Sequence, residues 1–339
     1  MTNKAINIVW FKRDLRLTDH EALFAAQQQD IPILLLYCFE PSIMAYADSD
    51  DRHWRFVYES LQELQKSLNK VSVTLHIFHQ EVDFLFEELS KKYSIQNVYS
   101  HQEIGNALTS SRDLKIKKSF IEKKITWNEF QTNGIVRKLK SRDKWDELWN
   151  QTMNSVPKSF DPQQGIFAEL NAPFFTSLKG KDLPEAITTR NKNFQQGGEY
   201  WAWRYLDSFI KERYVNYSKH ISKPNLSRKG CSRLSPYLTY GNISMRMVFQ
   251  YTMQHYANSL NKKALSNFVS RLHWHCHFIQ KFESECRMEF ENVNRAFDVL
   301  SKPKNEFYIQ AWQEGKTGVP IIDACMRCLV ETGYINFRM

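Results

Sequence analysis

No glycine precedes Gly105 in this 339-residue chain, which has only 11 glycines in all. A phosphate-binding turn of the G-x-G-x-x-G or G-x-x-x-x-G-K type needs glycine just after the first strand, where backbone must approach phosphate. A conventional NAD or ATP site at the start of the chain is therefore excluded. Cysteine is sparse too: six residues at irregular spacing. That argues against a disulfide framework and for a reducing, cytoplasmic setting. Long apolar runs are also missing. The longest, IPILLLYCF (31–39), falls well short of the roughly 20 residues that cross a bilayer, so no membrane partner is expected. The N-terminus passes from one lysine into INIVWF, with no apolar leader or small-residue cleavage site.

What is present suits a folded protein. Apolar residues make up 42% of the chain and aromatics 14%, enough for substantial cores in two domains. The net charge is +9, which favours polyanions without proving that one is bound. Seven basic residues lie between Lys211 and Arg233 against one acid, Glu212, with Tyr214 and Tyr217 among them. Basic residues mixed with aromatics suit phosphate contacts and ring stacking, while a solvated face is the plainer alternative. VRKLKSRDKW (136–145) is equally basic and reads first as a solvated face.

Residues 1–130 alternate short apolar runs with amphipathic stretches. Strands are expected at 6–11, 31–39, 73–78, 97–101 and 125–130, with helical patterns between them. This alternation predicts an α/β doubly wound parallel-sheet domain. From 131 to 193 the pattern weakens and reads as an interdomain connection. From 194 to 339 helical spacing dominates, as in Trp201, Tyr205, Leu206 and Phe209, and an all-helical domain follows.

The stretch SRKGCSRLSPYLTYGNIS (227–244) carries the strongest functional signal. Gly230 permits tight curvature, Ser235 is placed to cap a helix, and Pro236 suits its first turn. Such a helix start favours an anion, and an ordinary capped loop is the alternative. Ser244 is expected to cap the next helix.

With VWFKRDLRLTDHEAL (9–23), FQQGGEYWAWRYLDSF (194–209) and QAWQEGKTGVPIIDACMRCL (310–329), this stretch resembles the photolyase/cryptochrome flavoproteins in order and across essentially the whole chain. The resemblance implies FAD held by Tyr217, Cys231, Ser232, Arg233, Leu234 and Ser235, with His275 and Arg338 also at the cofactor. Cys231 stands where the family more often has Thr, a swap expected to weaken the site modestly. The α/β domain in this family often carries an antenna pigment of folate or deazaflavin type.

On the helix pattern NFVSRLHWHCHF (267–278), Trp274 matches a tryptophan that packs against a flipped-out pyrimidine dimer. Arg271 stands where the family has an acid, and His275 where it has arginine. A guanidinium can donate but not protonate, so dimer repair of the usual kind is placed in doubt. TGYINFRM (332–339) resembles T-G-W-x-x-N-R-x-R, with Phe337 at the Asn and Arg338 at the first Arg. DNA contacts are thus expected at Arg271, Trp274, Phe337 and Arg338, and an electron-transfer role for Trp312. The same match places the chain's end inside the helical FAD-binding domain, so weak or absent FAD retention and no activity are expected of the 339-residue chain.

Other patterns are weaker. His273 and His277 fall at i,i+4, but no third ligand supports a metal. Cys325-x-x-Cys328 reads as packing inside a helix. Asp323 and Arg327 fall at i,i+4, where a helix ion pair is the plainer reading, while the resemblance implies a structural role near the flavin. The leading reading is a blue-light-driven DNA repair photolyase, monomeric and partnered by DNA. A cryptochrome signalling through a protein partner is the alternative, and a non-flavin nucleotide-binding fragment the third.

Overall fold

The computed structural model describes residues 4–301 and 303–339. Five parallel strands form one sheet in the order β3-β2-β1-β4-β5: β1 (Lys4–Phe11), β2 (Ile33–Phe39), β3 (Leu75–His79), β4 (Tyr93–His101) and β5 (Thr126–Phe130). Each expected strand is present. The apolar runs are continuous because both faces of the sheet are covered by helices. Ile6, Ile8 and Trp10 pack on one side with Leu34, Leu36 and Cys38, while Val9 and Phe11 pack on the other with Leu35, Tyr37 and Phe39. The chain returns past its starting strand between β1 and β4, which leaves a crevice at their carboxyl ends.

The stretch 131–193 divides between two cores. Ile135, Trp145, Trp149 and Met153 join the helical core, whereas Ala168, Leu170 and Leu178 pack against the sheet. Gln280, buried in the Lys262–Ser284 helix, holds both polar groups of Val136: its Oε1 accepts the Val136 N–H at 2.7 Å and its Nε2 donates to the carbonyl at 2.9 Å.

From Glu199–Lys211 onward every regular element is helical, joined by loops. Ser244 caps the Met245–Tyr256 helix, accepting the Met247 N–H at 3.1 Å. Ser235 does not cap. It is the first residue of the short Ser235–Thr239 helix, Leu234 stands at the cap, and no side chain closes that end. Gly230 likewise ends the Pro224–Gly230 helix rather than turning a loop. A side chain there would meet the His220 ring, whose Nδ1 lies 2.6 Å from the Cβ position.

The loop after β1 docks on the segment 240–246 of the helical part. The Leu15 N–H donates to the Tyr240 carbonyl (3.1 Å), Arg16 Nη1 to the Gly241 carbonyl (2.9 Å), and Asn242 Nδ2 to the Leu15 carbonyl (3.1 Å). Two stretches more than two hundred residues apart thus form one joint beneath the candidate site. No helix among the described residues is long and apolar enough to cross a membrane.

Candidate functional site

The Lys262–Ser284 helix opens with Asn261 as its cap, its side chain accepting the Ala264 N–H at 3.1 Å. Leu265, Phe268, Leu272 and Cys276 recur at three- and four-residue spacing and sink into the core. That burial turns a neighbouring stripe outward: Arg271, Trp274, His275 and Phe278, spaced i, i+3, i+4, i+7. The stripe faces a cavity of about 850 Å³. Tyr217 and Ile221, then Cys231, Ser232, Leu234, Ser235 and Leu238, and the tail residues Tyr334–Phe337 with Met339 close its other sides.

Of the residues singled out in the sequence, Tyr217, Cys231, Ser232, Leu234, Ser235, Arg271, Trp274, His275 and Phe337 line this cavity. Arg233 does not. Its backbone is left-handed (φ 62°), and its side chain leaves the cavity, with Nε donating to Gln195 Oε1 at 3.1 Å and the guanidinium 4.6 Å from the Tyr334 ring. Arg338 also lies outside the lining, with its guanidinium 5.4 Å from the Phe337 ring. Trp312 sits half-exposed on the Glu306–Gln313 helix and does not reach the cavity.

Several basic residues of the 211–233 stretch are structural. Arg213 donates to the carbonyls of Tyr205 (2.8 Å), Lys229 (2.9 Å) and Cys231, clamping the turn from behind. Arg228 donates to the Tyr334 carbonyl and ties the tail to the same turn. Lys219, Lys223 and Lys229 are exposed. Arg137, in the other basic stretch, pairs with Glu129 at 2.7 Å.

Asn336 was not anticipated. It is buried, its Nδ2 donates to the Ile221 carbonyl at 3.1 Å, and its Oδ1 accepts the N–H groups of Arg338 (2.9 Å) and Met339 (3.1 Å). The asparagine that the T-G-W-x-x-N pattern asks for thus stands one position early, while Phe337 swings to the mouth at 70% exposure. The signal was present in the sequence, since the shift by one residue leaves an amide beside the expected place.

Burial pushes the Cys231 thiol above its ordinary range, against weaker opposing effects of Asn336 and Arg213. Burial also raises the Tyr217 phenol, and the Arg271 side chain beside it pulls the other way. Both groups are uncharged at neutral pH. Arg271 lies 5.3 Å from the Phe337 ring, a cation–π contact across the cavity mouth.

The weaker patterns resolve structurally. His273 Nε2 lies 2.9 Å from Asp146 Oδ1, and His277 Nδ1 accepts from Arg142 Nη2 at 2.7 Å. Cys325 and Cys328 are free. The expected Asp323–Arg327 ion pair does not form. The Asp323 carboxylate instead accepts from the Thr317 N–H and hydroxyl and the Gly318 N–H, while Arg327 Nε donates to the Asp323 carbonyl at 3.3 Å.

One metal-like group was not foreseen: Asp14, His20 and His101, with ligand-type atoms within 4.8 Å of one another and all buried. His101 Nδ1 lies 2.7 Å and His20 Nε2 3.1 Å from Asp14 Oδ2. His20 Nδ1 accepts the Leu23 N–H at 3.1 Å, so the proton of a neutral ring must sit on Nε2. A metal at Nε2 would require an imidazolate, and the group is better described as a carboxylate held by two imidazoles.

Burial lowers the His101 pKa to about 4, and it lowers His20 as well. Burial opposes ionisation of Asp14, but the two histidines outweigh it and hold the carboxyl well below its ordinary value. The sign follows. Below the ordinary histidine value of about 6.5 the unfolded chain binds protons that folded His101 refuses, so stability falls as pH drops toward 4. Urea midpoints between pH 7.5 and 4.5 are expected to fall less steeply for His101→Asn than for the parent; parallel slopes would contradict this.

A second cavity, of about 430 Å³, opens at the carboxyl ends of β1 and β2, where Trp10, Lys12, Arg13, Glu40, Glu103 and Arg112 meet Ser235 and Tyr334. Arg112 bridges Glu40, Glu103 (2.6 Å) and Asp113 (2.9 Å), and its guanidinium lies 4.9 Å from the Trp10 ring. Burial lifts the Glu40 carboxyl to about 7. Glu103 is held at about 2 because Arg112, Arg13 and Lys12 overcome its own burial.

A parallel sheet feeds a helical part that holds an apolar, hydroxyl-edged cavity. Residues 7–155 match the family model described as DNA photolyase, and residues 268–339 the FAD binding domain of DNA photolyase. The deoxyribodipyrimidine photo-lyase of Buchnera aphidicola is 28% identical over 98% of this chain and 71% of its own length. The chloroplastic/mitochondrial cryptochrome DASH of Solanum lycopersicum is 23% identical over 99% of this chain and 64% of its own length. A class III photolyase structure from Agrobacterium tumefaciens superposes over the whole chain and 71% of its own length, with a TM-score of 0.81 at 23% identity, a likeness of fold. The chain belongs to the photolyase/cryptochrome family.

Proposed function

We propose that this chain forms part of a blue-light-driven DNA repair photolyase. The observation that carries this reading is one 850 Å³ cavity with the hydroxyls of Ser232 and Ser235 on one side and Arg271, Trp274 and Phe337 on another. Its size and largely apolar walls suit a planar cofactor. Tyr217, Cys231, Ser232, Leu234 and Ser235 would hold FAD directly, with Arg233 and Arg338 supporting the walls from outside. Bound reduced flavin supplies an electron when excited.

The protein's own part is recognition and positioning. Trp274, 47% exposed at the mouth, offers an indole face to a pyrimidine turned out of the duplex. Arg271 can donate hydrogen bonds to a pyrimidine carbonyl but keeps its own proton. Exposed Lys219, Lys223 and Lys229 are available to DNA phosphates, in keeping with the +9 charge. Trp274→Ala is expected to weaken binding of a lesion-bearing oligonucleotide about tenfold, read by gel shift. Unchanged affinity would remove Trp274 from the lesion contact. The 430 Å³ cavity is our place for a second planar chromophore of folate or deazaflavin type.

A cryptochrome reading draws on one feature. Arg271 stands where repair enzymes of the family carry an acid, and here it is engaged with Tyr217 and the Phe337 ring. The first experiment is the visible spectrum of purified chain after incubation with FAD and gel filtration. Illumination with oligonucleotides carrying cyclobutane or (6-4) lesions follows. Restored bases support the photolyase; flavin photoreduction without restored bases supports the photoreceptor.

A further inference from the structure

The Asp51–Asn69 helix buries Val57, Leu61, Leu64 and Leu68 in the core beside the sheet and turns a second stripe outward. Arg52, Arg55, Glu59, Gln62, Lys66 and Lys70 recur on that stripe at three- and four-residue spacing. The segment 188–201 lies alongside, and the two enclose a groove. One end is a recess of about 70 Å³ among Arg52, Arg55, Arg190 and Phe194. The rest is a trough of about 660 Å³ that runs to Lys66, Lys70, Tyr200 and Trp201. Glu59 and Arg190 line both parts. Of the residues lining the groove, only Tyr334 also lines the large cavity.

The acids of the groove are spent. Glu59 accepts the Gly197 N–H at 2.9 Å and Arg190 Nη1 at 3.0 Å. Glu63 accepts the Tyr200 N–H at 2.9 Å, and burial raises its carboxyl. The cations are not spent. Arg55 gives Nε and Nη2 to the Ala186 carbonyl, which leaves Nη1 free. Lys66 and Lys70 are exposed, with no carboxylate at ion-pair distance among the described residues. Aromatic faces stand between these charges. Tyr200 is 57% exposed, its ring lies 5.4 Å from that of Trp201, and Arg204 stands 5.0 Å from the Trp201 ring. At the recess, Arg52 and Arg55 lie 5.9 and 5.5 Å from the Phe194 ring.

Unpaired cations along an exposed helix, with ring faces between them, fit a flexible polyanion that carries planar groups. The recess has room for a phosphate group and none for a ring, while the trough offers rings to stack on. A duplex hides its base faces by stacking, and a mononucleotide would reach only part of the stripe. We infer that this groove binds undamaged single-stranded nucleic acid without sequence preference, with bases on Tyr200 and Trp201 and phosphates at Arg52, Arg55, Lys66 and Lys70. From Arg52 to Lys70 the stripe is about 27 Å long, which suits the lower end of the roughly 4–16 nucleotides that such sites cover. Neither a flavin nor a lesion is needed, so the groove and the photolyase reading stand or fall separately.

The test is fluorescence anisotropy of labelled oligo-dT and oligo-U with the 339-residue chain, in the dark and across a range of salt. Both strands are expected to bind, because stacking and phosphate contacts do not tell them apart. Tyr200→Ala is expected to weaken binding about tenfold, the loss of one stacked base. Lys66→Gln with Lys70→Gln is expected to lower the slope of log K against log salt by about 1.4, the release of ions from two phosphates. Absence of binding by the parent overturns the inference, and so do unchanged affinity and slope in the variants. A loss in Trp274→Ala in place of Tyr200→Ala overturns it too, by placing the strand at the mouth of the large cavity. A duplex bound as tightly as the single strands would reduce the groove to phosphate contacts, and equal competition by a mononucleotide would make it a small-ligand site; either result overturns the inference.

Discussion

Gly241→Ala is expected to destabilise the protein by about 3–5 kcal/mol, near the top of the range for a single substitution. Gly241 sits at φ 66°, where an alanine alone costs roughly 1–2 kcal/mol. The larger part is steric. A Cβ would stand 2.2 Å from the Arg13 carbonyl oxygen and 2.6 Å from the Asp14 Cα, both main-chain atoms of the loop after β1. Neither can yield without opening the joint, because the Gly241 carbonyl is itself taken by Arg16 Nη1. Gly318 is the control: its φ is 83°, but nothing lies within 4 Å of its Cβ position, so Gly318→Ala isolates the backbone cost. Urea unfolding of the two variants measures the difference. Equal losses would mean that the close approach carries no energy. Because Tyr240 precedes Gly241 and the Ser235–Thr239 helix precedes Tyr240, a strained joint is also expected to disturb the turn that lines the cavity.

That joint explains why part of the chain was legible in the sequence and part was not. The strands were readable because β1 and β2 are apolar on both faces and end at turn residues. On the cavity stripe, Arg271, Trp274 and His275 were reached through the family resemblance of NFVSRLHWHCHF, while Phe278, which completes the i, i+3, i+4, i+7 spacing, was not singled out. Arg233 escaped because its direction depends on a left-handed backbone at a non-glycine position, which spacing does not reveal. Arg213 was counted with the basic face, yet it is spent on main-chain carbonyls whose gathering is a tertiary event. The stretch 131–193 lacked a pattern because its apolar residues serve two different cores. The motif K-R-D-L-R-L-T-D-H carried family resemblance without an assigned role, and several of its residues bond the helical part. Asp14 gathers His20 and His101, while Arg16 and Leu15 bond the helical part.

Asp19 is the most heavily committed carboxylate of that motif, and removing its charge is the second large effect expected. Its oxygens accept from Arg246 Nε (3.0 Å) and Nη2, the Ser244 hydroxyl (2.6 Å) and the Lys158 N–H (3.0 Å). Burial disfavours its charge, but Arg246 and Ser244 outweigh burial and hold the carboxyl below its ordinary value. Asp19→Asn keeps the shape and tolerates the φ of 50°, yet it leaves the Arg246 guanidinium with only the partly exposed Glu21 as a carboxylate partner. A buried charge stripped of its main partner costs about 3–5 kcal/mol, more than the desolvation recovered by neutralising Asp19. Asp19→Ala should cost more, since alanine at that φ adds strain. Removing both partners, as in Asp19→Asn with Arg246→Met, is expected to cost less than the sum of the single changes, because no charge is then stranded. The pH dependence has a definite sign. A carboxyl with a lowered pKa contributes fully above its unfolded value and loses that contribution as pH falls through the folded one. The gap between parent and Asp19→Asn should therefore be flat above about pH 5 and narrow below it. A loss under about 1 kcal/mol at pH 7, or a gap that widens in acid, would show that Arg246 finds its stability elsewhere. The first outcome would shift the weight of the joint onto the Gly241 approach and the Asn242 contact alone.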